Sequence, residues 1–372
     1  MLTLVGPGNP FGGPTRVSIN QATELRRQGH EVVIVAAQPR ESLRGAWKSK
    51  DVVAFDSRQL LPRAGFSGIV SFGLYRHLWK HVRDYDIVHI HMSRDLVTLP
   101  AALIARMRGV PYVVQTHGMI DTSERRSAQV LDTIATRRAV NGAARVFVLT
   151  PGEADEIKAL MGKRHVVSEL LQNGIEVNPV SATRDLAQGS PEVLFCSRLH
   201  SRKRPAAFVR TAIDLLDAGV EARFVLAGPD EGELPSLRQL LAQAGDPGGI
   251  SFEGPLEPDQ VADRLARSSF LVLPSVDEPF PMIVLEALAA ARPVVITESC
   301  GLAEFVRQNK CGLVVSPDDR RDLTSAVRKL ILDPELARSM GIRGVSAIKD
   351  HLSIEQVVGQ LVTAYSSSIA VT

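Results

Sequence analysis

The chain reads as an α/β protein made of two doubly wound, Rossmann-like domains facing across a cleft. Three observations lead there. Short β-branched runs alternate with longer helical patterns along the whole length, which gives parallel sheets covered by helices on both faces. The 372 residues suit two ordinary domains, each able to bury a core of its own. Between 174 and 190 the alternation lapses into Asn-Gly, Pro, Ser/Thr and Gln-Gly-Ser-Pro, the composition of turns and linkers.

Taken in order, the chain opens with Leu2-Thr3-Leu4-Val5 as a strand, and further strands are expected at 32–35, 87–90, 112–114 and 146–149. A second set follows at 193–196, 224–227, 270–273, 294–296 and 313–315. These runs are too apolar for half-exposed antiparallel strands, so both faces of each sheet should be buried. The expected division is a first domain over 1–173, the linker over 174–190, a second domain over 191–352, and a C-terminal helix over 353–372 that crosses back to the first. Open parallel sheets take ligands beyond the carboxyl ends of their strands. Functional residues therefore belong just after strands and at helix starts. No internal repeat or low-complexity tract interrupts the pattern.

Composition narrows the class. With 45% apolar and 23% charged residues the chain is neither disordered nor membrane-spanning in character, and no apolar run reaches the roughly 20 residues that cross a bilayer. The N-terminus lacks the blocks of a signal peptide. Cys196, Cys300 and Cys311 are odd in number and without Cys-x-x-Cys spacing, which argues against a disulfide framework or structural zinc and fits a reducing cytoplasm. The net charge of +2 is unevenly shared: residues 1–173 hold 23 Lys+Arg against 15 Asp+Glu, the remainder 20 against 26. A basic first half suits an anionic membrane surface or a phosphorylated acceptor, or is ordinary surface variation. No nucleic-acid partner is expected.

The strongest local signal is Glu278-Pro-Phe-Pro-Met-Ile-Val-Leu-Glu286, followed by Ala-Leu-Ala-Ala-Ala-Arg-Pro-Val-Val. It begins after the strand at 270–273, and Pro281 stands where a first helical residue belongs. Glu286 then lies about a turn into the helix, with Glu278 in the loop before it. A helix N-terminus offers free N–H groups and a positive dipole end to a diphosphate. Carboxylates beside it would repel phosphate and are better aimed at sugar hydroxyls. The same pair also reads as acidic residues serving the helix dipole. A second cluster, Ser197-Arg198-Leu-His-Ser-Arg-Lys203-Arg-Pro205, turns from strand to helix with two cations five apart. Arg chelates phosphate oxygens while Lys acts as a point charge; a solvated basic turn is the other reading.

Together these segments resemble the retaining glycosyltransferase family 4, of GT-B fold, through its Glu-x7-Glu signature and its Gly-Arg-Leu…Lys-Gly loop. The resemblance implies that Arg198 and Lys203 clamp the donor diphosphate, that Glu286 binds the ribose, and that Glu278 contacts the donor sugar at the reacting face. It also implies that main chain around Phe280, Met282 and Ile283 holds sugar and phosphate, and main chain near Gly254 and Leu256 the base. Departures are Pro279 and Pro281, which carry no N–H, and Ser197 and Arg204 in place of glycines. Pro281 resembles a variant of the motif.

The first half adds Gly6-Pro-Gly-Asn-Pro-Phe-Gly12-Gly13-Pro14 before a helix. The order is not Gly-x-Gly-x-x-Gly, and no acidic residue ends the next strand, which disfavours dinucleotide binding. The resemblance reads Gly12 and Gly13 as a loop over the donor and acceptor. His117, in Gln-Thr-His117-Gly at a strand end, resembles the family's His-Gly, so Glu278 and His117 are the catalytic candidates; a structural histidine is the alternative. His89 and His91 share a strand face, but no third ligand is visible and no metal is expected. Asp84-Tyr85-Asp86 spells Asp-x-Asp yet precedes its strand, at the wrong end for a site.

Similar short matches span nearly the whole chain, including Gly29-His-Glu-Val32, Leu226-Ala-Gly-Pro229 and Phe252-Glu-Gly254. The expected activity is metal-independent, retaining transfer of a sugar from a nucleotide-sugar donor, UDP-sugar ahead of GDP-sugar, to a glycan, lipid-linked or small-molecule hydroxyl. The nucleotide-sugar is a substrate, and no cofactor is implied. A sugar-nucleotide epimerase or a phosphorylase on the same fold, and a non-catalytic nucleotide-sugar-binding protein, are the alternatives. A basic amphipathic stretch at 69–83 places Phe72, Tyr75, Trp79 and Val82 on one side and Arg76, Lys80 and Arg83 on others. It reads as peripheral contact with the membrane's inner face, or as packing on its own sheet.

Overall fold

In a computed structural model the described residues are 1–4, 13–39, 52–120, 129, 131–177 and 190–370. The chain forms two compact units, Met1–Gly174 with Ile354–Thr372, and Ile175–Ser353. Each is a sheet flanked by helices.

Among the described residues the first unit holds eight strands: β1 (Leu2–Leu4), β2 (Ile34–Pro39), β3 (Val52–Gln59), β4 (Ile69–Val70), β5 (Val88–His91), β6 (Tyr112–Gln115), β7 (Arg145–Val148) and β8 (Ser168–Leu170). Their order is β4-β3-β2-β1-β5-β6-β7-β8, parallel throughout except for β4 against β3. The strand order reverses at β1, which pairs with both β2 and β5. The second unit holds β9 (Glu192–Cys196), β10 (Arg223–Ala227), β11 (Ile250–Gly254), β12 (Phe270–Leu273), β13 (Val294–Thr297) and β14 (Gly312–Val315), ordered β11-β10-β9-β12-β13-β14 and all parallel. Here the reversal falls at β9, between β10 and β12. Reversal points leave a crevice at the strands' carboxyl ends, so the loops after β9 and β12 are where chemistry belongs.

β-branched and aromatic side chains explain the strands, since they fit a pleated surface covered on both sides. Phe195, Phe208 and Phe224 are fully buried, with ring centroids 5.7 and 6.0 Å apart. Truncating one of these to alanine should cost about 3–5 kcal/mol. Gly228, at the end of β10, has φ 143, and a Cβ there would lie 2.0 Å from the Ser197 carbonyl oxygen. Only glycine lets the loops after β9 and β10 approach so closely.

The helix Ile354–Ile369 belongs to the first unit, where Ile354, Val357, Val358, Leu361 and Ala364 pack with Leu25, Val113, Phe147 and Leu171. The helix Phe72–His81 orients differently from its sequence reading. Leu74, Leu78 and Val82 are its buried stripe, and the Tyr75 hydroxyl donates to the Leu96 carbonyl, while Phe72 and Trp79 stay 65% and 48% exposed. The sheet selects the i, i+4, i+8 stripe that is wholly aliphatic. Among the described residues no helix is long and apolar enough to cross a membrane.

Candidate functional site

The second unit places Arg198, Lys203 and Glu278 in the loops after β9 and β12, at the reversal of strand order. After β9 the chain makes a short 3-10 turn, Ser201–Lys203, with the His200 ring accepting the Arg202 N–H at 3.1 Å. Arg204 then takes a left-handed conformation, φ 54, before the helix Pro205–Asp217, and its guanidinium donates to the Pro317 carbonyl. The position where the family that this chain resembles has glycine is thus left-handed here, with a side chain that is anchored by its own hydrogen bond. After β12 the loop is tied to this turn, because the Val276 N–H donates to the Arg202 carbonyl at 3.0 Å. Farther along, the Glu278 carbonyl accepts the Gly301 N–H at 2.9 Å.

These ties bring Lys203 and Glu278 together across 75 residues of sequence, the ammonium donating to Oε2 of the carboxylate. Both are 8% exposed, and Arg202 Nη2 stands 3.8 Å from the same oxygen. Burial pushes the Lys203 ammonium below its ordinary value, against the raising pull of Glu278. Arg198 is not part of that pair. Its Nη1 donates to both oxygens of Glu231, at 2.8 and 2.9 Å, in a half-exposed bridge.

The helix Met282–Ala289 starts one residue later than its sequence reading, with Pro281 as the residue before the first turn. Glu286 is the fifth helical residue and buried; Phe280 is buried, and Met282 and Ile283 are half-buried. Gly254 has φ 78, and its carbonyl accepts the Gly228 N–H at 2.7 Å, so the loops after β10 and β11 are joined beside half-buried Leu256.

In the first unit, Gly12 lies outside the described residues, and Gly13 opens the helix Gly13–Arg27 with no described residue within 4 Å of where a Cβ would stand. His117 follows β6, 8% exposed and left-handed at φ 53, with Nε2 2.8 Å from His91 Nδ1. Burial lowers its pKa to about 3, so the imidazole is neutral. His89 and His91 stack at 4.6 Å, and His89 Nδ1 meets the Tyr365 hydroxyl at 2.6 Å. Asp84 and Asp86 are exposed at the amino end of β5. Among the described residues no group of three or more His, Cys, Asp or Glu is arranged to hold a metal. All three cysteines are buried, and burial raises the Cys300 and Cys311 thiols to about 12.

Comparison with known proteins assigns this architecture. Residues 181–346 match the family described as glycosyl transferases group 1, and residues 12–174 match the glycosyl transferase 4-like domain. D-inositol 3-phosphate glycosyltransferase 1 of Catenulispora acidiphila is 30% identical over 309 residues, 77% of this chain and 73% of that one. The chain belongs to the group 1 glycosyltransferases. Its GT-B fold is shared with sucrose-phosphate synthase from Thermosynechococcus elongatus, at TM-score 0.77 and 18% identity over 100% of this chain and 98% of that one. HepE of Anabaena, solved with UDP-glucose, gives TM-score 0.73 and 17% identity over 98% of this chain and 99% of that one.

Within the glycosyltransferase, reading the sequence missed two carboxylates. Glu231 carries no local signal, since its partner Arg198 is 33 residues away. Glu153 does: Thr150-Pro-Gly-Glu153 spells a capping box, and Thr150 Oγ1 accepts the Glu153 N–H at 3.2 Å.

Proposed function

We propose that the glycosyltransferase transfers a sugar from a nucleotide-sugar, with retention of anomeric configuration and without a metal. The buried Lys203–Glu278 pair at the carboxyl ends of β9 and β12 carries this reading. A buried ammonium there stabilises charge developing on a departing diphosphate, the work a metal does elsewhere. Arg198 adds a second cation once Glu231 yields it. Glu278 faces the donor sugar, Glu286 the ribose, and main chain at Phe280, Met282 and Ile283 the sugar and phosphate oxygens. Main chain near Gly254 and Leu256 takes the base. His117, with Gly12 and Gly13, serves from the first unit.

UDP-sugars lead as donors, in keeping with the UDP-glucose held by HepE. The name of the Catenulispora relative puts an inositol phosphate first among small-molecule acceptors to try, ahead of glycan and lipid-linked hydroxyls. A thermal-shift screen with UDP, GDP, ADP and their sugars tests the donor, because a ligand bound only by the native state raises the melting temperature. No shift with any of them would overturn the reading. Activity unchanged by excess EDTA is the expected sign of metal independence, and loss restored by Mg²⁺ or Mn²⁺ would refute it.

A peripheral contact with anionic lipid is favoured by one feature, the exposed Phe72 and Trp79 on a helix that also exposes Arg76 and Lys80, with Arg83 just beyond it. Each well-placed basic residue adds about 1 kcal/mol near such a surface. Co-sedimentation with phosphatidylglycerol liposomes should weaken with salt and with Trp79→Ser; equal binding to neutral liposomes would rule it out.

A further inference from the structure

His117 holds a left-handed backbone, φ 53, that a residue with a side chain adopts at a cost of about 1–3 kcal/mol and keeps only where its surroundings enforce it. The enforcing group is a single buried carboxylate. Glu153, from the first turn of the helix Pro151–Met161, accepts the Thr116 hydroxyl and the Gly118 N–H through Oε1, both at 2.5 Å, and the Leu149 N–H through Oε2 at 2.6 Å. The residues on either side of His117 are thus fastened to one oxygen atom.

The ring is held separately. His91, last residue of β5, meets His117 Nε2 through its Nδ1 at 2.8 Å, the two rings lying within 14° of parallel. His89 stacks behind His91, anchored to the Tyr365 hydroxyl. Burial keeps all three imidazoles neutral. A neutral pair sharing one hydrogen bond has one N–H donating and one bare nitrogen accepting. Because the bond joins Nδ1 of one ring to Nε2 of the other, both rings carry the same tautomer. Nε2 of His117 is taken, and Nδ1, buried with no hydrogen-bond partner among the described residues, is what the ring has left. Leaving a buried polar atom bare costs about 1–3 kcal/mol, which a ligand hydroxyl would recover. His89 and His91 leave Nε2 bare as well, so the stack rests on ring contact and one bond per ring and is not a saturated network.

We propose that Glu153 and His91 are positioning residues for His117: Glu153 holds the main chain on both sides of it in the left-handed turn, and His91 fixes its ring and couples its tautomer to its own, so that Nδ1 is the atom presented to substrate. This rests on His117 being a substrate contact. Neither residue touches the reacting atoms; both act through the geometry of the one that does.

Ring ¹⁵N chemical shifts of the full-length, histidine-labelled protein at neutral pH test it, with His117 assigned by its loss in His117→Asn. His117 should show the same balance of neutral tautomers as His91. His91→Phe keeps a ring for the stack but removes the hydrogen bond, and should shift the His117 tautomer balance; His91→Asn, which returns an amide near the Nδ1 position, should move it back toward that of the wild type. Glu153→Gln, which turns an acceptor oxygen into a donor, should displace the His117 ring shifts and the Gly118 amide. Thr116→Val makes the same test should Glu153→Gln fail to fold. Turnover is followed as UDP release from UDP-glucose, where His91→Phe should lower kcat roughly ten- to a hundred-fold with KM little changed, and His91→Asn should recover part of it. His117 ring shifts identical to wild type in His91→Phe, Glu153→Gln and Thr116→Val would overturn the proposal. Wild-type turnover by His117→Asn, with the shifts responding as expected, would instead remove the substrate role of His117 that the proposal rests on.

Discussion

The two units hold their candidate side chains by opposite means. In the second unit charge meets charge: Lys203 is neutralised by Glu278, and Arg198 by Glu231. In the first unit the ring of His117 lies against a column of neutral stacked imidazoles, and the Glu153 carboxylate clamps the main chain on either side of it through hydrogen bonds from uncharged groups. On the proposed reading, a diphosphate bound in the second unit would have to compete with carboxylates for its cations, so affinity there would be a difference between two ion pairs. Nothing of that kind protects His117, whose geometry is set before any ligand arrives and is stored as backbone strain. The comparison makes the second unit sensitive to single charges and the first sensitive to protons.

Acid should separate the units most strongly. His89, His91 and His117 are pushed below the usual imidazole range mainly by burial. The folded chain keeps them neutral, and the unfolded chain protonates them near pH 6.5. Their contribution is therefore full above about pH 6.5 and is lost as pH falls toward the folded value. His117 alone, at about 3 in the fold, should cost roughly 2 kcal/mol by pH 5, and His89 and His91 add in the same direction. Calorimetric melts from pH 8 to pH 5 should show the first unit's transition falling ahead of the second's. Coincident falls would break the contrast.

Next in size, Lys203→Ala should destabilise the second unit by up to about 3–5 kcal/mol, because it leaves a buried carboxylate with only the more distant Arg202. Urea unfolding measures this, and Lys203→Ala with Glu278→Gln should recover much of the loss. Arg198→Ala leaves the fold alone but should weaken UDP binding by about 1.5–3 kcal/mol in titration calorimetry, the worth of a charged hydrogen bond. Smallest is Glu231→Gln, which frees Arg198 and should tighten UDP binding by under about 1 kcal/mol, the worth of an exposed pair. Weaker binding would mean that Glu231 orients the arginine and does not compete for it.

Much of this architecture is legible in the sequence because buried parallel strands leave a strong local mark. The runs at 193–196, 270–273 and 294–296 coincide with strands buried at every residue. Strands β3, β8 and β11 escaped because their residues look outward or mix polar with apolar, as in Ile-Ser-Phe-Glu-Gly of β11 at one edge of its sheet, and β4 because two buried residues are too short a run to read. In the helix Phe72–His81 the period was readable but not the stripe, since Phe72 and Trp79 fit the spacing as well as Leu74 and Leu78 do. Which of them faces the sheet is decided by shape. The candidate site divides likewise. Glu278, Glu286, Arg198 and Lys203 stand out by type and spacing, whereas Glu231, the partner of Arg198, does not, and the capping box that marks Glu153 says nothing of its bonds to Thr116 and Gly118, more than 30 positions away. Distance along the chain hides a hydrogen bond completely.

The buried cysteines have a practical consequence for following this enzyme in solution. With Cys196, Cys300 and Cys311 buried, and two of the thiols raised to about 12, none offers a thiolate to an alkylating dye at neutral pH. The native sequence is already silent background for site-directed labelling. A Gly13→Cys substitution, at a position where a Cβ meets no described residue within 4 Å, would place a reactive thiol at the mouth of the first helix. A fluorophore attached there would report each arrival and departure of a ligand as a change in brightness, molecule by molecule.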